Sequence, residues 1–574
     1  LGFHWITLYH NIAGMLTESA SARLASPLYI HPSQLEGASA RTMPEYAAQT
    51  NFPNPWPGGW WRLRDIVEQQ KIAAWAVLDL AARYKETVLW NAYRKARRQI
   101  ERGRTGKPRA FILPARQHDP LTVRKLVQVL LNQGIEVHQA EGAFKADERT
   151  YPAGTFVVFL QQPKYGLIRT LLERTLYPDN YWTRDPDGNP VVFDTATDTV
   201  AEFMGVAVHP AADLPNAGSG EFQVVTTLKP PAVRVATSQT GWLLDGRLND
   251  TFRAVNRLLA AGVRVWRLEA PATAEDGTLP AGAFYVEGDA EAKVRPILEE
   301  LGVPCCLPQG DLTAKKRLLR PLRIGIYQRY WGGSMDEGWT RFVLESFEFP
   351  YVILKDADFQ AGNLRDKVDV LILPSDPEPL IVGLENLDAE KYPRLARMLQ
   401  RFGGVEGMPP EYRSGIGEEG VQALAAFVAA GGRLLAFDQA ADLAIKACRL
   451  NLKNVAAGKP SREYSCHGST LWAQVAVTHP LGYGMPDRAL ILNWNSPAFE
   501  ILESVRAEDY EVIVEYPREG LLQSGRLIGE DLLAGRAAMV AVRHGDGQVV
   551  LYGFRCQHRA QTHGTYKLLF NALL

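Results

Sequence analysis

The sequence has few cysteines, and their spacing marks no metal or redox site. Five thiols in 574 residues form no C-x-x-C pair and have no zinc-finger spacing. The adjacent Cys305 and Cys306 are more typical of two small buried residues after a strand than of a redox motif. The absence of a cysteine framework is compatible with any compartment.

The sequence also lacks long apolar runs and a large net charge. No run approaches the roughly 18 apolar residues that a membrane span needs, so we expect no membrane partner. A net charge of -1 excludes a global field that would attract nucleic acid, and no nucleic-acid partner is expected. The opening "LGFHWITLYH" lacks the regions of a secretion signal and an initiator Met, which predicts a fragment or a processed product.

What the chain does have is length and an ordinary globular composition. It is too long for one hydrophobic core, and length alone suggests three to four domains. Shifts in pattern along the chain predict domains at 1–104, 105–220, 221–315 and 316–574.

The first of these segments has two different patterns. The apolar run "HWITLY" predicts a strand, and an irregular stretch rich in Pro, Trp and Gly, "NFPNPWPGGWWRLRD", comes later. From Asp65 apolar residues recur at spacings of three and four, which predicts a long helix ending in the basic run Arg97 to Arg104.

The middle of the chain contains an internal repeat. "RAFILPA", a helical segment and "YPAGTFVVFL" are matched by "AVRVATS", a second helical segment and "LPAGAFYVEG". The same number of residues separates Gly134 from Pro152 and Gly262 from Pro280. We therefore predict a duplicated α/β unit with parallel strand pairing.

A third alternating pattern begins near Pro321. The strand-like segments "LRIGIYQ", "PYVILKD", "VDVLILPSD", "RLLAF" and "GQVVLYGFR" are separated by helical ones, which predicts an open sheet covered on both faces. The predicted fold class is thus α/β, with several doubly wound, mostly parallel-sheet domains.

This third region resembles the class I glutamine amidotransferase-like fold, which is flavodoxin-like. In active members a nucleophilic Cys follows the strand that here reads "RLLAF", but this chain has Asp438 there. A carboxylate cannot act as the thiolate that the reaction needs. The resemblance therefore implies the fold alone, and we expect a non-catalytic domain.

Three polar motifs favour ordinary structural roles. "GIGEEG", Gly415 to Gly420, follows a polar loop and not a strand, so a helix start is favoured over a dinucleotide site. His138 and Glu141 have H-x-x-E spacing but no third ligand nearby. The polar run from Arg555 to His563 is compatible with an anion or sugar site, although a salt-bridged loop is favoured.

The N-terminal segments "GMLTESASARLASP" and "NFPNPWPGGWWRLRDIVEQQKIAAWAVLDLAA" resemble the end of a zinc carboxypeptidase domain. The similarity is to large bacterial members with extra C-terminal domains. It implies zinc as cofactor, a peptide or protein substrate, a secreted or periplasmic location, and Glu18 as the general base at the end of a strand. In such an enzyme, zinc lowers the pKa of a bound water and the carboxylate takes its proton.

The resemblance does not extend to the metal site. The family's H-x-x-E pair and later His lie well upstream of the glutamate, and only 17 residues precede Glu18 here. We therefore expect this chain alone to bind no zinc and to be inactive. The alternative hypothesis is a non-catalytic scaffold that binds a peptide, a glycan or a protein partner.

Overall fold

The computed structural model describes residues 3–21, 25–36, 45–50, 52–192, 194–310, 312–385, 387–401, 403–409, 413, 415–502 and 507–574. The chain divides into two compact units. One comprises Leu1–Thr105 with Gln161–Leu167, and the other comprises Gly106–Leu160 with Ile168–Leu574. No helix in the described part is both long and apolar enough to cross a membrane.

The first unit is mainly helical. Its elements are α1 (Phe3–Tyr9), β1 (Leu28–Ile30), β2 (Gly59–Trp61), α2 (Leu63–Arg83) and α3 (Lys85–Thr105), with β1 and β2 antiparallel. The predicted strand "HWITLY" is wrong, because these residues form α1. A short apolar run does not by itself distinguish a strand from a buried helical turn. The long predicted helix is present but is broken at Tyr84.

The second unit begins with two small sheets. The first repeat contains β3 (Ala110–Leu113), α4 (Pro120–Asn132), β4 (His138–Ala140), β5 (Phe144–Ala146), β6 (Arg149–Tyr151), β7 (Phe156–Phe159), α5 (Tyr165–Leu172, which starts in the first unit), α6 (Val200–Phe203), β8 (His209–Ala211) and β9 (Phe222–Val224). The second contains β10 (Trp242–Leu244), α7 (Asn249–Ala260), β11 (Val265–Leu268), β12 (Ala272–Ala274), β13 (Gly277–Leu279), β14 (Phe284–Val286), α8 (Glu291–Leu301), β15 (Cys305–Cys306) and β16 (Lys316–Leu318). The strand orders β8-β3-β7-β4-β9 and β15-β10-β14-β11-β16 are equivalent, as duplication requires.

Strand pairing in both repeats is antiparallel, so the prediction of parallel pairing is wrong. The helical crossover does return β4 to the direction of β3. However, β7 lies between them and is antiparallel to both. Strand β14 separates β10 from β11 in the same way. The predicted strand "AVRVATS" is also absent, since β10 starts only at Trp242.

Two glycines explain the equal spacing in the repeats. Gly134 and Gly262 have φ of 68° and 73°, and each follows the helix of its repeat. A left-handed residue at this position ends a helix, and glycine adopts it without a Cβ penalty.

The rest of the second unit is built on one large sheet. Its strands are β17 (Ile324–Tyr327), β18 (Tyr351–Leu354), β19 (Val370–Leu373), β20 (Arg433–Phe437), β21 (Leu452–Asn454), β22 (His467–Val475), β23 (Arg488–Trp494), β24 (Phe499–Ile501), β25 (Tyr510–Glu515), β26 (Leu522–Ser524), β27 (Ala537–His544) and β28 (Gly547–Tyr552). Its helices are α9 (Met335–Ser346), α10 (Asp356–Gln360), α11 (Leu364–Lys367), α12 (Glu378–Val382), α13 (Pro393–Arg401), α14 (Gly417–Ala429), α15 (Ala440–Ala447), α16 (Glu530–Leu533) and α17 (Tyr566–Phe570).

The large sheet has a parallel and an antiparallel half. Its strand order is β18-β17-β19-β20-β28-β27-β25-β22-β23. Pairing is parallel from β18 to β28 and antiparallel beyond it. The α/β fold class is confirmed, and the five predicted strands form the parallel half. The antiparallel half was not predicted.

The parallel strands are almost wholly apolar because helices cover them. All of β17 and β19 is buried, and so is β20 after Arg433. "GIGEEG" leads into α14, with Glu418 and Glu419 in its first turn, as predicted. These elements fix the carboxyl ends of the parallel strands, where polar residues gather.

Candidate functional site

Polar residues meet where the parallel strands of the large sheet end. Arg329 follows β17, Ser375 and Asp376 follow β19, Asp438 follows β20 and Arg555 follows β28. Ligand sites of open α/β sheets lie outside the carboxyl ends of the strands. This cluster is therefore the candidate functional site of the second unit.

Asp438 occupies a sharp turn between β20 and α15. Its φ of 50° lies in the left-handed region, which is uncommon for a residue with a Cβ. The backbone N–H of Asp438 donates to the Tyr552 carbonyl at 2.8 Å, which ties the turn to β28. Such a strained strand–turn–helix connection is the backbone form that presents a nucleophile in α/β enzymes. Here it carries a carboxylate.

The Asp438 carboxylate is enclosed and has a counter-ion. Its Oδ2 atom accepts from Ser375 Oγ at 2.9 Å and from Arg555 Nε at 3.0 Å. The residue is only 1% exposed, and Oδ1 is buried with no hydrogen-bond partner among the described residues. A carboxylate held in this way is a structural anion and is not accessible to a substrate.

Asp336, in the first turn of α9, is a second acid of the cluster. Its Oδ2 atom accepts from the Ser375 backbone N–H at 2.8 Å and from Gln557 Nε2 at 3.2 Å. Burial raises the pKa of Asp336 to about 6, against the opposing effect of the Arg555 charge. Asp336 and Asp438 both raise the negative charge density around Ser375, and protonation of Asp336 relieves it.

Asp376 is paired separately. Arg329 donates to its two carboxylate oxygens, at 2.9 Å from Nε and 3.1 Å from Nη2. Burial raises the pKa of Asp376, and this paired guanidinium limits the rise. The pair also holds the loop after β17, because Arg329 donates to the Trp331 carbonyl.

The Trp494 ring lies at the outer rim of the cluster, close to two arginines and a histidine. The Arg555 and Arg559 guanidinium carbons lie 5.3 and 5.4 Å from the Trp494 ring centroid, and the His558 ring lies at 5.3 Å. Arg559 has a φ of 47° and forms an ion pair of 2.8 Å with Asp194. The favoured interpretation of the run from Arg555 to His563, a salt-bridged loop, is therefore confirmed for both arginines.

His558 is not a strong base in this setting. Burial and the neighbouring Arg555 and Arg559 charges lower its pKa to about 3. The acid at the turn, Asp438, is paired to Arg555 and is therefore not free to act as a nucleophile.

Glu18 lies in the first unit on an exposed segment without regular structure, so its predicted place at the end of a strand is wrong. The residues around it are anchored to α2. Thr17 Oγ1 donates to Gln70 Oε1 at 2.8 Å, and Ser19 Oγ donates to Gln69 Oε1 at 3.2 Å. No hydrogen bond or ion pair to the Glu18 carboxylate is found within the described residues. The backbone is thus held while the carboxylate stays free.

The described residues do not fit a zinc site. Nowhere among them do three or more His, Cys, Asp or Glu side chains cluster in a way that could hold a metal ion. His138 is buried in β4, with its ring 5.1 Å from that of Phe159 and its Nε2 atom 3.5 Å from Glu136. Glu141 points to solvent beyond the strand. We therefore derive no catalytic step through zinc.

Sequence reasoning identified Asp438 and Arg555 but missed Arg329, Asp336 and Asp376. Arg329 and Asp376 lie within three residues of the ends of β17 and β19, and a polar residue soon after an apolar strand was the available signal for them. Asp336 lies in the first turn of α9, away from any strand end in the sequence, and had no such signal. Which strand ends are neighbours depends on strand order, and local pattern does not determine it.

Comparison with known proteins gives only partial structural matches. No family model matches the chain, and no curated protein matches its sequence. A glutamine amidotransferase from Thermotoga maritima shares 9% identity over 42% of this chain and 77% of its own, with a TM-score of 0.24. A protein described as ThuA-like from Bacteroides uniformis shares 11% over 44% and 88%, with a TM-score of 0.26. A β-galactosidase from Bacillus circulans shares 11% over 43% and 30%, with a TM-score of 0.24. Structural neighbours thus include amidotransferase-like and ThuA-like folds over part of the chain.

Proposed function

We propose that this chain supplies the last part of a zinc carboxypeptidase domain, joined to C-terminal domains that do not hydrolyse their ligands. The observation that supports this function is the exposed apolar surface of α2 and α3. Both helices are 21 residues long, and Gly103 is their one buried residue. A helix pair of this length normally buries an apolar stripe against a core.

The exposed side chains of α2 and α3 are large and regularly placed. Ile72, Trp75 and Leu78 recur every three residues along α2, and Trp75 is 64% exposed. Leu89 and Trp90 of α3 are 70% and 57% exposed. Burial of one such side chain stabilises a fold by about 1.5–3 kcal/mol. An apolar surface of this extent favours a covering protein segment, and the rest of a peptidase domain has the size to cover it.

The segment that contains Glu18 also supports this function. Gln70 Nε2 donates to the Thr17 carbonyl at 3.1 Å, and Trp61 Nε1 donates to the Ala20 carbonyl at 2.9 Å. Glu18 is thus held at a fixed position beside α2 with an unpaired carboxylate. Its role would be to accept a proton from water at a site completed by residues outside this chain.

The test begins with the coding sequence upstream of Leu1. An H-x-x-E pair followed by a later His, in frame, supports the peptidase. The longer protein should then release C-terminal residues from blocked dipeptides, while this chain should not. In the longer protein, Glu18→Gln should reduce kcat by at least about 100-fold, and Glu86→Gln, a change at another acid of the same unit, should leave it unchanged. Full activity in the Glu18→Gln variant would contradict the assigned role.

The second candidate is the non-catalytic binding scaffold, which the enclosed Asp438 favours. The Trp494 ring offers an aromatic contact for a peptide or glycan, beside the guanidinium groups of Arg555 and Arg559, which are paired to Asp438 and Asp194. Arrays of glycans and peptides would test it with the whole chain. Binding that Trp494→Ala abolishes and Trp339→Ala preserves supports this role, and equal binding by both variants argues against it.

A further inference from the structure

A separate cavity, with a mainly apolar lining and a few polar groups, lies away from the Asp438 cluster. It has a volume of about 520 Å³ and is formed by residues 116–122, 202–207, 486–490 and 563–567 with Trp472. All of these belong to the second unit. Cavities of roughly 300–1,000 Å³ commonly hold small ligands. Neither the peptidase nor the scaffold hypothesis accounts for it.

Two unpaired arginines lie along this cavity. Within the described residues, neither Arg116 nor Arg488 forms an ion pair or a side-chain hydrogen bond. The guanidinium carbon of Arg488 lies 4.2 Å from the centroid of the Trp472 ring, so a cation–π contact holds it beside the cavity. A guanidinium group presents parallel N–H donors that match the two oxygens of a carboxylate. The arginines are therefore available to an anion.

Among the described residues, the two acids of the cavity form no ion pair with these arginines. Asp119 caps α4 and accepts from the backbone N–H groups of Leu121, Thr122 and Asn249. Its remaining bond comes from the Thr122 hydroxyl at 2.8 Å.

Glu202 is equally occupied. Its oxygens accept from Thr470 Oγ1 at 2.5 Å, Ser524 Oγ at 2.8 Å and Gln523 Nε2 at 3.1 Å. Both carboxylates of the cavity thus have their hydrogen bonds within the protein. Arg116 and Arg488 are exposed residues, and their guanidinium groups remain free to donate.

The inner wall adds a buried amine and an unpartnered imidazole. Lys567 is only 2% exposed, and its Nζ atom donates to Asn249 Oδ1 at 3.0 Å. Burial lowers the pKa of Lys567, against the effect of Asp119. The His563 Nδ1 atom is buried and has no partner among the described residues. Buried polar atoms without partners are rare in proteins and often mark a missing ligand or water.

The rest of the lining is apolar. Met204, Val206, Pro486 and Leu490 lie on the cavity wall together with Trp472. A small inorganic anion would leave this surface uncovered, whereas an organic anion would bury it. Ligand sites usually combine such apolar walls with a few polar groups that fix orientation.

We propose that this cavity binds an organic carboxylate, with its anionic end between Arg116 and Arg488 and its apolar body against Met204, Val206 and Leu490. The carboxylate is either that of a free acid or the C-terminal one of a peptide. Both sources present the same group to the arginines. This inference goes beyond the proposed function and does not depend on it.

Calorimetry on the whole chain tests the proposal with matched probes. N-acetyl-leucine and N-acetyl-leucinamide have the same apolar body and differ in the carboxylate. We expect saturable binding of the acid and at least about tenfold weaker binding of the amide, since a charge-assisted pair contributes about 1.5–3 kcal/mol. A tripeptide ending in leucine, if it binds more tightly than the free acid, identifies a peptide C-terminus as the source. If it binds less tightly, the source is a free acid.

Two variants and a control locate the site. Arg488→Gln and Arg116→Gln should each weaken binding of N-acetyl-leucine about tenfold, while Arg149→Gln, at an exposed position on β6, should not. Equal affinity for the acid and the amide, or unchanged affinity in both cavity variants, would overturn the proposal. Inorganic phosphate binding as tightly as N-acetyl-leucine would overturn the assignment of an apolar body.

Discussion

Arg555 donates a 3.0 Å hydrogen bond from Nε to the Oδ2 atom of Asp438. The two residues follow β28 and β20, which are neighbouring parallel strands. The pair therefore closes the end of the parallel half of the large sheet, directly after β20 and β28. Because Asp438 is buried and Arg555 is mostly so, the two charges depend on each other.

We expect Asp438→Asn to lower the free energy of unfolding by about 2–4 kcal/mol, because it leaves the Arg555 charge without its partner. Urea denaturation followed by tryptophan fluorescence measures the change. The control is Asp509→Asn, which breaks the more exposed Arg543–Asp509 pair and should cost less than about 1 kcal/mol. Equal losses of unfolding free energy in the two variants would show that the buried pair stabilises the fold no more than the exposed pair does.

Asp438→Cys should not create glutaminase activity. The variant places a thiol at the turn, but the side chain stays enclosed by Ser375 and Arg555. Burial and the Asp336 carboxylate would also raise the pKa of the new thiol and limit formation of the thiolate. Ammonia release from glutamine measures the activity. Ammonia release above that of the unaltered protein would show that the turn is catalytically competent.

The pKa of Asp336 predicts a particular dependence of stability on pH. A folded-state pKa of about 6, raised from 3.8, means that the folded protein binds the proton more tightly than the unfolded chain. Its contribution is fully present below about pH 4 and is lost as pH rises through about 6. The groups around it are Arg555, Asp438 and Asp376.

Asp336→Asn should remove this dependence. The stability of the variant relative to the unaltered protein should increase by about 1–3 kcal/mol between pH 4 and pH 6.5 and stay constant above that. Urea midpoints at several pH values measure the difference. Because both proteins share the other titrating groups, such as His558, their effects cancel. A difference that does not vary with pH would contradict the assignment.

The lowered pKa of His558 predicts the opposite dependence of stability on pH. Its folded-state pKa of about 3 lies below the usual 6.5, so the unfolded chain binds the proton more tightly. Its contribution is present above about pH 6.5 and is lost as pH falls toward 3. His558→Gln should therefore unfold less steeply between pH 6.5 and 4.5 than the unaltered protein. Parallel acid-unfolding curves for the two proteins would be evidence against the lowered pKa.

The parallel half of the large sheet could be predicted from the sequence because each strand there is a continuous apolar run. For the same reason Asp438 could be placed directly after its strand. The left-handed φ of Asp438 and its pairing with Arg555 could not be predicted, because they depend on β28 being the neighbour of β20. Residues far apart in the chain form that contact, and local periodicity does not encode it.

The repeats show a second limit of the sequence pattern. Equal spacing identified the duplication, since Gly134 and Gly262 end equivalent helices. The predicted parallel direction of strand pairing is wrong because β7 and β14 insert between the two strands that each crossover joins. In the first unit, α1 was mistaken for a strand since its apolar run is too short to show a period.

The exposed apolar stripe on α2, formed by Ile72, Trp75 and Leu78, can be tested without knowing what covers it. Ile72 and Trp75 are 66% and 64% exposed, so they contribute little to the stability of this chain but much to its apolar surface. The double variant Ile72→Gln with Trp75→Gln should bind less of an apolar fluorescent dye and show less self-association by light scattering. The free energy of unfolding should change by less than about 0.5 kcal/mol for each substitution.

The matched contrast is Val127→Gln, at a buried position of α4, which should destabilise the protein strongly. If the α2 variant unfolds as readily as the α4 variant, the stripe is part of a core and does not form a surface for a covering segment.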